Sequence, residues 1–590
     1  MSINVWPTGR EPYHGDIVQG RLGNCFLIAS LQALASCQPS LLKSIISSSS
    51  FICFFYRQGE RIEVPIVLQS LTDEYQYCRS TVMNVQWPYI IEQAYAQFYG
   101  GRYENLIGGN TSEALYDLLG KPVEEVEPND TDLWNRIEKG LTNKNILVTC
   151  GAIRTNESTT TTATTTTTNN GLIVNHAYAI LATFIYQRTR EKYVIIHNPH
   201  GINHICDEDS RAREAFFASI SKSHPLWSNT PGTQLVTWSE LKQSCNRIQI
   251  CHLDVQPYQN LFGNWTTLTN GGCTNYATFY RNPFVLLPLP YLKKTILIFG
   301  HTIDQRNERT TTDIKLNYPQ IGITVVQLKS HPIPTQDNYE VVCQSKFWNK
   351  REVILTINIE PKQGQQYAAV LSTYYPNINT SFWLQFFSQQ TLPKVELRTW
   401  TSAFQQPVQI VHGQWHKENA GGRQIKSDTM TFYQNPAYLL TLSGTSVVRI
   451  ILHQSFETDV PLAQHHPIGI YILSNTYNDE ATFGRARSVS KLVRLHAGIE
   501  YYIVPTCFEA GSFAKFTIDV LCDVAFTFDA TERKLPTSLL QDKKMSNTAV
   551  TTRKPVATRT TGTKETPKKG GLSLAAARMS TIADDYSKMV

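Results

Sequence analysis

Two stretches of this chain repeat each other at the distance of one domain, and that repetition limits the fold more than any other feature. Gly263-Asn264-Trp265 is followed by Gly271-Gly272 and by Ala277-Thr278-Phe279-Tyr280-Arg281-Asn282-Pro283. Gly413-Gln414-Trp415 is followed by Gly421-Gly422 and by Met430-Thr431-Phe432-Tyr433-Gln434-Asn435-Pro436. The two tryptophans lie 150 residues apart (415 − 265), the length of a whole domain and far more than a solenoid unit. Short alternating runs follow, such as Tyr438-Leu-Leu-Thr-Leu, Ser446-Val-Val-Arg-Ile-Ile-Leu and Tyr501-Tyr-Ile-Val, parted by turn residues. Alternation of this kind, punctuated by turns, predicts antiparallel β-sandwiches, here two in tandem.

The chemistry lies ahead of the repeat. Gln19-Gly20-Arg21-Leu22-Gly23-Asn24-Cys25 is a glycine-containing turn that runs into Phe26, Leu27, Ile28, Leu31 and Leu34, spaced as the buried face of a helix. Cys25 then sits at the first helical turn, where unpaired N–H groups and the helix dipole favour a thiolate. Gln19, six residues earlier (25 − 19), can aim an amide N–H at the same point. With the Cys25 N–H it would form an oxyanion hole. A cysteine alone is most often a small buried hydrophobe, so the reading needs partners.

Partners lie downstream. Leu172-Ile-Val-Asn175-His176-Ala177-Tyr178-Ala-Ile-Leu181 reads as a strand, and Tyr193-Val-Ile-Ile-His197-Asn198-Pro199-His200-Gly201 as a second strand stopped by Asn-Pro and Gly. His176 follows Cys25 by 151 residues (176 − 25) and Asn198 follows His176 by 22 (198 − 176). Thiol proteases of papain-like mechanism use that order: nucleophile, shared-proton base, and an amide that fixes the imidazole.

These segments closely resemble the calpain family. Gln19-Gly-Arg-Leu-Gly-Asn-Cys25-Phe-Leu-Ile is similar to the signature Gln-Gly-x-Leu-Gly-Asp-Cys-Trp-Leu-Leu. Asn175-His176-Ala177-Tyr178 resembles Gly-His-Ala-Tyr, and Asn198-Pro199-His200-Gly201 resembles Asn-Pro-Trp-Gly. Trp87-Pro-Tyr-Ile-Ile-Glu92-Gln-Ala-Tyr95-Ala, Ile107-Gly108-Gly109-Asn110-Thr111-Ser112-Glu113, Trp238-Ser-Glu-Leu and Arg247-Ile-Gln-Ile-Cys251 fall in the family's order over residues 1–255. The resemblance implies an α+β papain-like two-lobed core. It makes Cys25 the nucleophile, His176 the general base and acid, Asn198 the residue orienting His176, Gln19 the oxyanion donor and Gly109 a backbone contact for extended substrate. Three positions depart from the pattern: Asn24 for Asp, Asn175 for Gly, and His200 for a Trp that in the family packs over the Asn side chain. The tandem sandwiches, without EF-hand loops, resemble most the layout of the PalB-type branch.

The resemblance also raises calcium. Asp16 falls at one family ligand position, but Val85 stands where an acidic ligand is expected and Pro231-Gly232-Thr233 where the family has Asp-Gly-Glu. Hard cations need several oxygen ligands, so the expectation is that no cofactor is required and that calcium ligands are largely missing.

Composition bounds the rest. Twelve cysteines are scattered without CxxC spacing, which fits reduced thiols in a cytoplasmic compartment. Met1-Ser-Ile-Asn-Val-Trp6-Pro7 shows no basic segment followed by an apolar run, so no signal peptide is read. Residues 531–590 hold twelve Lys/Arg and five Asp/Glu, a balance of +7, against +6 for the whole chain. The remainder is nearly neutral, which argues against nucleic acid as a partner. The expected organisation is a helical lobe with the nucleophile at 1–120, a β-rich lobe with His and Asn at 121–255, sandwiches at 256–400 and 401–527, and a disordered basic tail at 528–590. A threonine run over 158–170 reads as a surface loop. The function expected is limited proteolysis of protein substrates by an intracellular cysteine endopeptidase. The alternative is a catalytically weak or inactive scaffold that binds peptides, proteins or membranes through its cleft and sandwiches; in either case the sandwiches and the basic tail are expected surfaces for membrane or protein contacts.

Overall fold

The computed structural model describes residues 4–47, 51–66, 76–152, 172–202, 210–220, 226, 230–266, 268–292, 296–305, 317–328, 339–399, 408–425, 430–455, 464–485 and 488–540. The whole threonine run, within 153–171, and residues 541–590 of the expected tail lie outside them. The chain divides into two units, Met1–Thr274 with Phe279–Ala403 and Asn275–Thr278 with Phe404–Val590.

In the first unit a helical lobe is built around α1 (Cys25–Cys37). A helix apolar on most faces belongs inside a core, and Phe26, Leu27, Ile28, Leu31 and Leu34 are all buried. Its polar members are paired locally: Ser30 Oγ donates to the Phe26 carbonyl at 2.7 Å and Gln32 Nε2 to the Ile17 carbonyl at 3.2 Å. The helix stops at Cys37, just ahead of Pro39, as proline demands. Helices α2 (Trp87–Phe98), with Pro88 in its first turn, and α3 (Thr111–Leu119), closed by left-handed Gly120, pack in the same core. A short ribbon pairs β1 (Ile17–Val18) with β2 (Arg79–Ser80).

The second lobe is a six-stranded antiparallel sheet. Its strands are β3 (Val123–Val126), β4 (Ile146–Ala152), β5 (His176–Ile185), β6 (Lys192–His197), β7 (Thr233–Thr237) and β8 (Cys245–His252), in the order β7-β6-β5-β4-β8-β3. Both faces are covered, so its strands read as continuous apolar runs. Val148, Tyr178, Ile180, Val194, Ile196, Ile248 and Ile250 fill one side, and Tyr193, Ile195 and Leu235 meet Ala212 and Phe216 on the other.

Each sandwich pairs a four-stranded with a six-stranded antiparallel sheet, and the strand order is the same in both. In the first, the smaller sheet runs Gln256–Trp265, Thr380–Ser388, Ile296–Thr302, Glu352–Ile357; in the second, Gln409–Trp415, Ala514–Cys522, Ser446–Ser455, Ser488–Leu495. The repeated motif has a physical job. Trp265 packs on Phe382 and Trp415 on Phe516, centroids 4.5 Å apart in each. Asn282 Nδ2 donates to the Gly272 and Phe279 carbonyls (2.8 and 2.9 Å), and Asn435 Nδ2 to those of Gly422 and Phe432 (2.7 and 3.0 Å). Each asparagine thus ties its Gly-Gly turn to the turn before its own proline.

Within the first unit the sandwich and the helical lobe share a buried joint. Leu297, Phe299 and Phe387 belong to the same apolar cluster as α1 and α2. Arg351 reaches Asp117 on α3 at 2.9 Å and Asp304 at 2.6 Å, and also pairs with Glu352. Tyr95 and Tyr99 hydroxyls donate to Asp117 Oδ2 at 2.7 and 2.5 Å. One guanidinium faces three carboxyl groups, and burial pushes that of Glu352 up to about 8 against the pull of Arg351. Lys350 pairs with Glu125 on β3 at 2.5 Å, and Lys346 with Glu127. The segment from Lys346 to Glu352 therefore grips both lobes, α3 of one and β3 of the other. No described helix is long and apolar enough to cross a membrane.

Candidate active site

The cleft residues come from three places that the fold brings together. Cys25 is the first residue of α1, half-buried at the cleft. The backbone N–H of Ala177, next to His176 on β5, acts on its sulfur together with those of Phe26 and Cys25 itself. Burial outweighs them and pushes the thiol up from its ordinary value. A thiolate here would need a neighbouring base to take the proton.

His176 opens β5 and is buried. Its Nε2 lies 2.9 Å from Asn198 Oδ1, which assigns the proton to Nε2 and leaves Nδ1 as the basic nitrogen. Asn198 is fully engaged. Its Oδ1 also accepts the His200 N–H at 3.1 Å, its Nδ2 donates to the Ile202 carbonyl at 3.0 Å, and its N–H to the Gly232 carbonyl at 2.9 Å. The His200 ring lies flat on His176, centroids 4.7 Å apart and planes within 4°. A planar ring thus covers the base where the family pattern has tryptophan. Asn175 adopts φ 56°, a left-handed conformation that asparagine tolerates better than most residues. This accounts for asparagine in place of glycine before the base.

Gln19 is buried, and its Nε2 donates to the Leu22 carbonyl at 2.8 Å. An amide nitrogen has two hydrogens, so one N–H remains for an oxyanion. The Gln19 N–H donates to the Pro199 carbonyl at 2.9 Å, which fastens this residue to the turn that carries Asn198. Gly20 allows the turn to approach closely: a Cβ there would stand 2.3 Å from the Tyr77 carbonyl oxygen. Gly109 lies in an exposed strip before α3, and the neighbouring Gly108 donates its N–H to the Gly23 carbonyl at 2.9 Å. The strip therefore runs two residues from the nucleophile with its backbone open to solvent.

Several residues that shape the cleft carry no role in the sequence reading. Asn24 does not cap α1; its Nδ2 donates to Glu92 Oε1 at 2.6 Å, and Glu92 also accepts the Cys78 N–H. An acid at position 24 would meet a second carboxylate there, which explains the asparagine. His14 and His197 pack edge to face at 4.7 Å, and Thr233 Oγ1 lies 2.8 Å from His197 Nδ1 and 3.3 Å from His14 Nε2. His197 sits beside Asn198 in sequence, but nothing in an apolar strand distinguishes a buried structural histidine from a working one.

The positions at which the resemblance implies calcium ligands are occupied by contacts within the chain. Both oxygens of buried Asp16 face Arg10, Oδ1 at 2.5 Å and Oδ2 at 2.9 Å. At Pro231-Gly232-Thr233 the threonine hydroxyl is engaged with two histidines and no carboxylate is present. Among the described residues no cluster of three or more His, Cys, Asp or Glu side chains is placed to hold a metal.

Two family models match the chain in order. The model for calpain family cysteine proteases matches residues 9–252, and that for calpain large subunit domain III matches residues 261–387. Calpain-5 of Caenorhabditis elegans is 24% identical over 475 residues, covering 66% of this chain and 68% of that protein. Calpain-8 of Mus musculus is 27% identical over 431 residues, covering 65% and 60%. The Calpain-1 catalytic subunit of Mus musculus is 26% identical over 430 residues, covering 65% and 59%. The chain thus spans about three fifths of the length of these two mouse relatives.

Proposed function

Because this chain belongs to the calpain family of cysteine proteases, we propose that it is a cysteine endopeptidase performing limited proteolysis of protein substrates. The observation that carries the reading is the 2.9 Å contact between His176 Nε2 and Asn198 Oδ1, with Cys25 beneath the neighbouring Ala177 N–H. In this mechanism Cys25 gives its proton to His176 Nδ1 and the sulfur attacks the scissile carbonyl carbon. The oxyanion takes N–H bonds from Gln19 and from the Cys25 backbone. His176 then protonates the leaving amine, and a thioester remains on Cys25. It next removes a proton from water, which attacks the thioester and releases the acid. Asn198 holds the ring so that Nδ1 faces sulfur throughout, and the Gly108-Gly109 strip lays an extended substrate across the cleft.

The tandem sandwiches support a layout like that of the PalB-type branch, and together with the basic tail they are candidate surfaces for membrane or protein partners. A cytoplasmic setting suits the reduced cysteines. One observation favours the scaffold alternative: His200 stands where the family pattern has a tryptophan. Cleavage of an unfolded protein such as casein separates the two readings. The protease reading expects cleavage by wild type and a loss of at least about 10³-fold in Cys25→Ser, since a hydroxyl is a far weaker nucleophile. Equal activity in both proteins would overturn it.

A further inference from the structure

The loop that leads into Gln19 is closed around a side chain where a cation-binding loop would hold an ion. Arg10 Nη1 donates to Asp16 Oδ2 and to the Glu11 carbonyl, both at 2.9 Å, and Nη2 donates to Asp16 Oδ1 at 2.5 Å. Tyr13 lies under the guanidinium at 4.7 Å and gives its N–H to Asp16 Oδ2 at 3.2 Å. Asp16 is fully buried, so its charge needs a fixed counter-charge. A carboxylate used through both oxygens plus a backbone carbonyl is a hard-oxygen set. A planar fork satisfies it as well, and satisfies it permanently.

The loop also touches both lobes. The Asp16 carbonyl accepts the Thr81 N–H at 3.0 Å in the helical lobe, and Gln32 on α1 holds the Ile17 carbonyl. On the other side His14 packs on His197 and reaches Thr233, and Gly15 comes so close to Thr230 that a Cβ would stand 2.5 Å from its methyl. Three residues after Asp16, Gln19 bonds to Pro199. Whatever fixes Asp16 therefore fixes the position of the oxyanion donor relative to Asn198 and His176.

We infer that Arg10 is a built-in cation that holds the loop of residues 9–16, and through it Gln19, in the cleft-competent register without a divalent ion. Arg10 is a positioning residue: it touches Asp16, and Asp16 leads to Gln19. The activity part of the test rests on the protease reading, and the melting part does not. The full chain is compared with Arg10→Ala, each in EGTA and in micromolar to millimolar calcium chloride, by peptide cleavage and by thermal melting. Wild type should show the same kcat/KM and melting midpoint in both. Arg10→Ala should lose about 10- to 100-fold in kcat/KM, mostly through kcat, as expected for a misplaced catalytic group. Low-millimolar guanidinium chloride should restore several-fold activity to Arg10→Ala and not to wild type, whereas equimolar sodium chloride should restore none. A role confined to general stability would not respond to guanidinium in this way. Because Asp16 is released, calcium should raise the melting midpoint of Arg10→Ala alone. Should Arg10→Ala fail to fold, Arg10→Lys, which keeps the charge and loses the fork, takes its place with the same expectations at smaller amplitude. Saturable activation of wild type by micromolar calcium overturns the inference, as does wild-type activity in the variant or an absence of guanidinium rescue. If wild type cleaves nothing, the protease reading has failed and melting decides: a variant midpoint equal to wild type, or unmoved by calcium, overturns the inference.

Discussion

His200 covers His176 face to face, with centroids 4.7 Å apart and planes only 4° from parallel. It occupies the place of the family's tryptophan, and unlike an indole an imidazole can carry a proton. A positive His200 would oppose the imidazolium that a Cys25–His176 pair must form; among the described residues Tyr178 meets the His176 ring edge-on. His200→Phe keeps a flat cover that cannot charge. The acid limb of its kcat/KM profile should move to lower pH, with activity at pH above neutrality within about threefold of wild type, whereas His200→Ala should lose about tenfold from a looser base. A superimposable pH profile in His200→Phe would contradict this.

Asn198 holds the base through one oxygen that also accepts the His200 N–H. Asn198→Ala removes both bonds while leaving nucleophile and base in place. We expect kcat to fall about 10²-fold with KM little changed, the range typical of impaired general base catalysis. A fall in KM affinity alone, at constant kcat, would assign Asn198 to substrate binding instead.

The joint between core and first sandwich should dominate stability. Arg351→Ala strands Asp117 and Asp304 in a buried site, a change that costs about 3–5 kcal/mol. Lys350→Ala removes a partly exposed partner of Glu125 and should cost only about 1 kcal/mol. Urea unfolding of the full chain gives both values. Equal shifts would show that the buried cluster contributes no more than a surface pair.

Acid should unfold the first unit through buried histidines. Burial lowers His197 and His301 from 6.5 to about 3. Above pH 6.5 neither state binds the proton. Between 6.5 and 3 the unfolded chain binds protons that the fold refuses, so stability falls as pH drops, at about 1.4 kcal/mol per unit for each group. Glu352, raised to about 8, runs the other way: its contribution is full below its free value and fades as pH rises through 8. Urea midpoints measured from pH 7 to 4.5 should fall less steeply in His197→Gln than in wild type. Identical slopes would contradict neutral burial of His197.

Much of this molecule is legible in the sequence because its elements carry their own periodicity. The apolar run after Cys25 gives α1, and the Trp, Gly-Gly and Asn-Pro marks announce two sandwiches of one topology. The candidate residues Cys25, His176 and Asn198 are legible because their order and flanking turns are written in short local segments. Contacts between distant segments leave no such trace. Nothing near Arg351 points to Asp117, 234 residues away, and nothing near Glu92 points to Asn24 and Cys78. Arg10 and Asp16 lie six residues apart, yet only the folded loop turns one onto the other. Burial around Cys25, which raises its thiol against the neighbouring N–H groups, is likewise set by the folded surroundings and not by the local run.

The central claim, that Cys25 is an active nucleophile aligned by this chain's own residues, is tested most directly by active-site titration with an epoxysuccinyl thiol-protease inhibitor in EGTA. Peptide mapping should place one equivalent of inhibitor on Cys25, cleavage of casein should fall in proportion to labelling, and Cys25→Ala should take up none. An unlabelled Cys25, or full cleavage after stoichiometric labelling, would contradict the account.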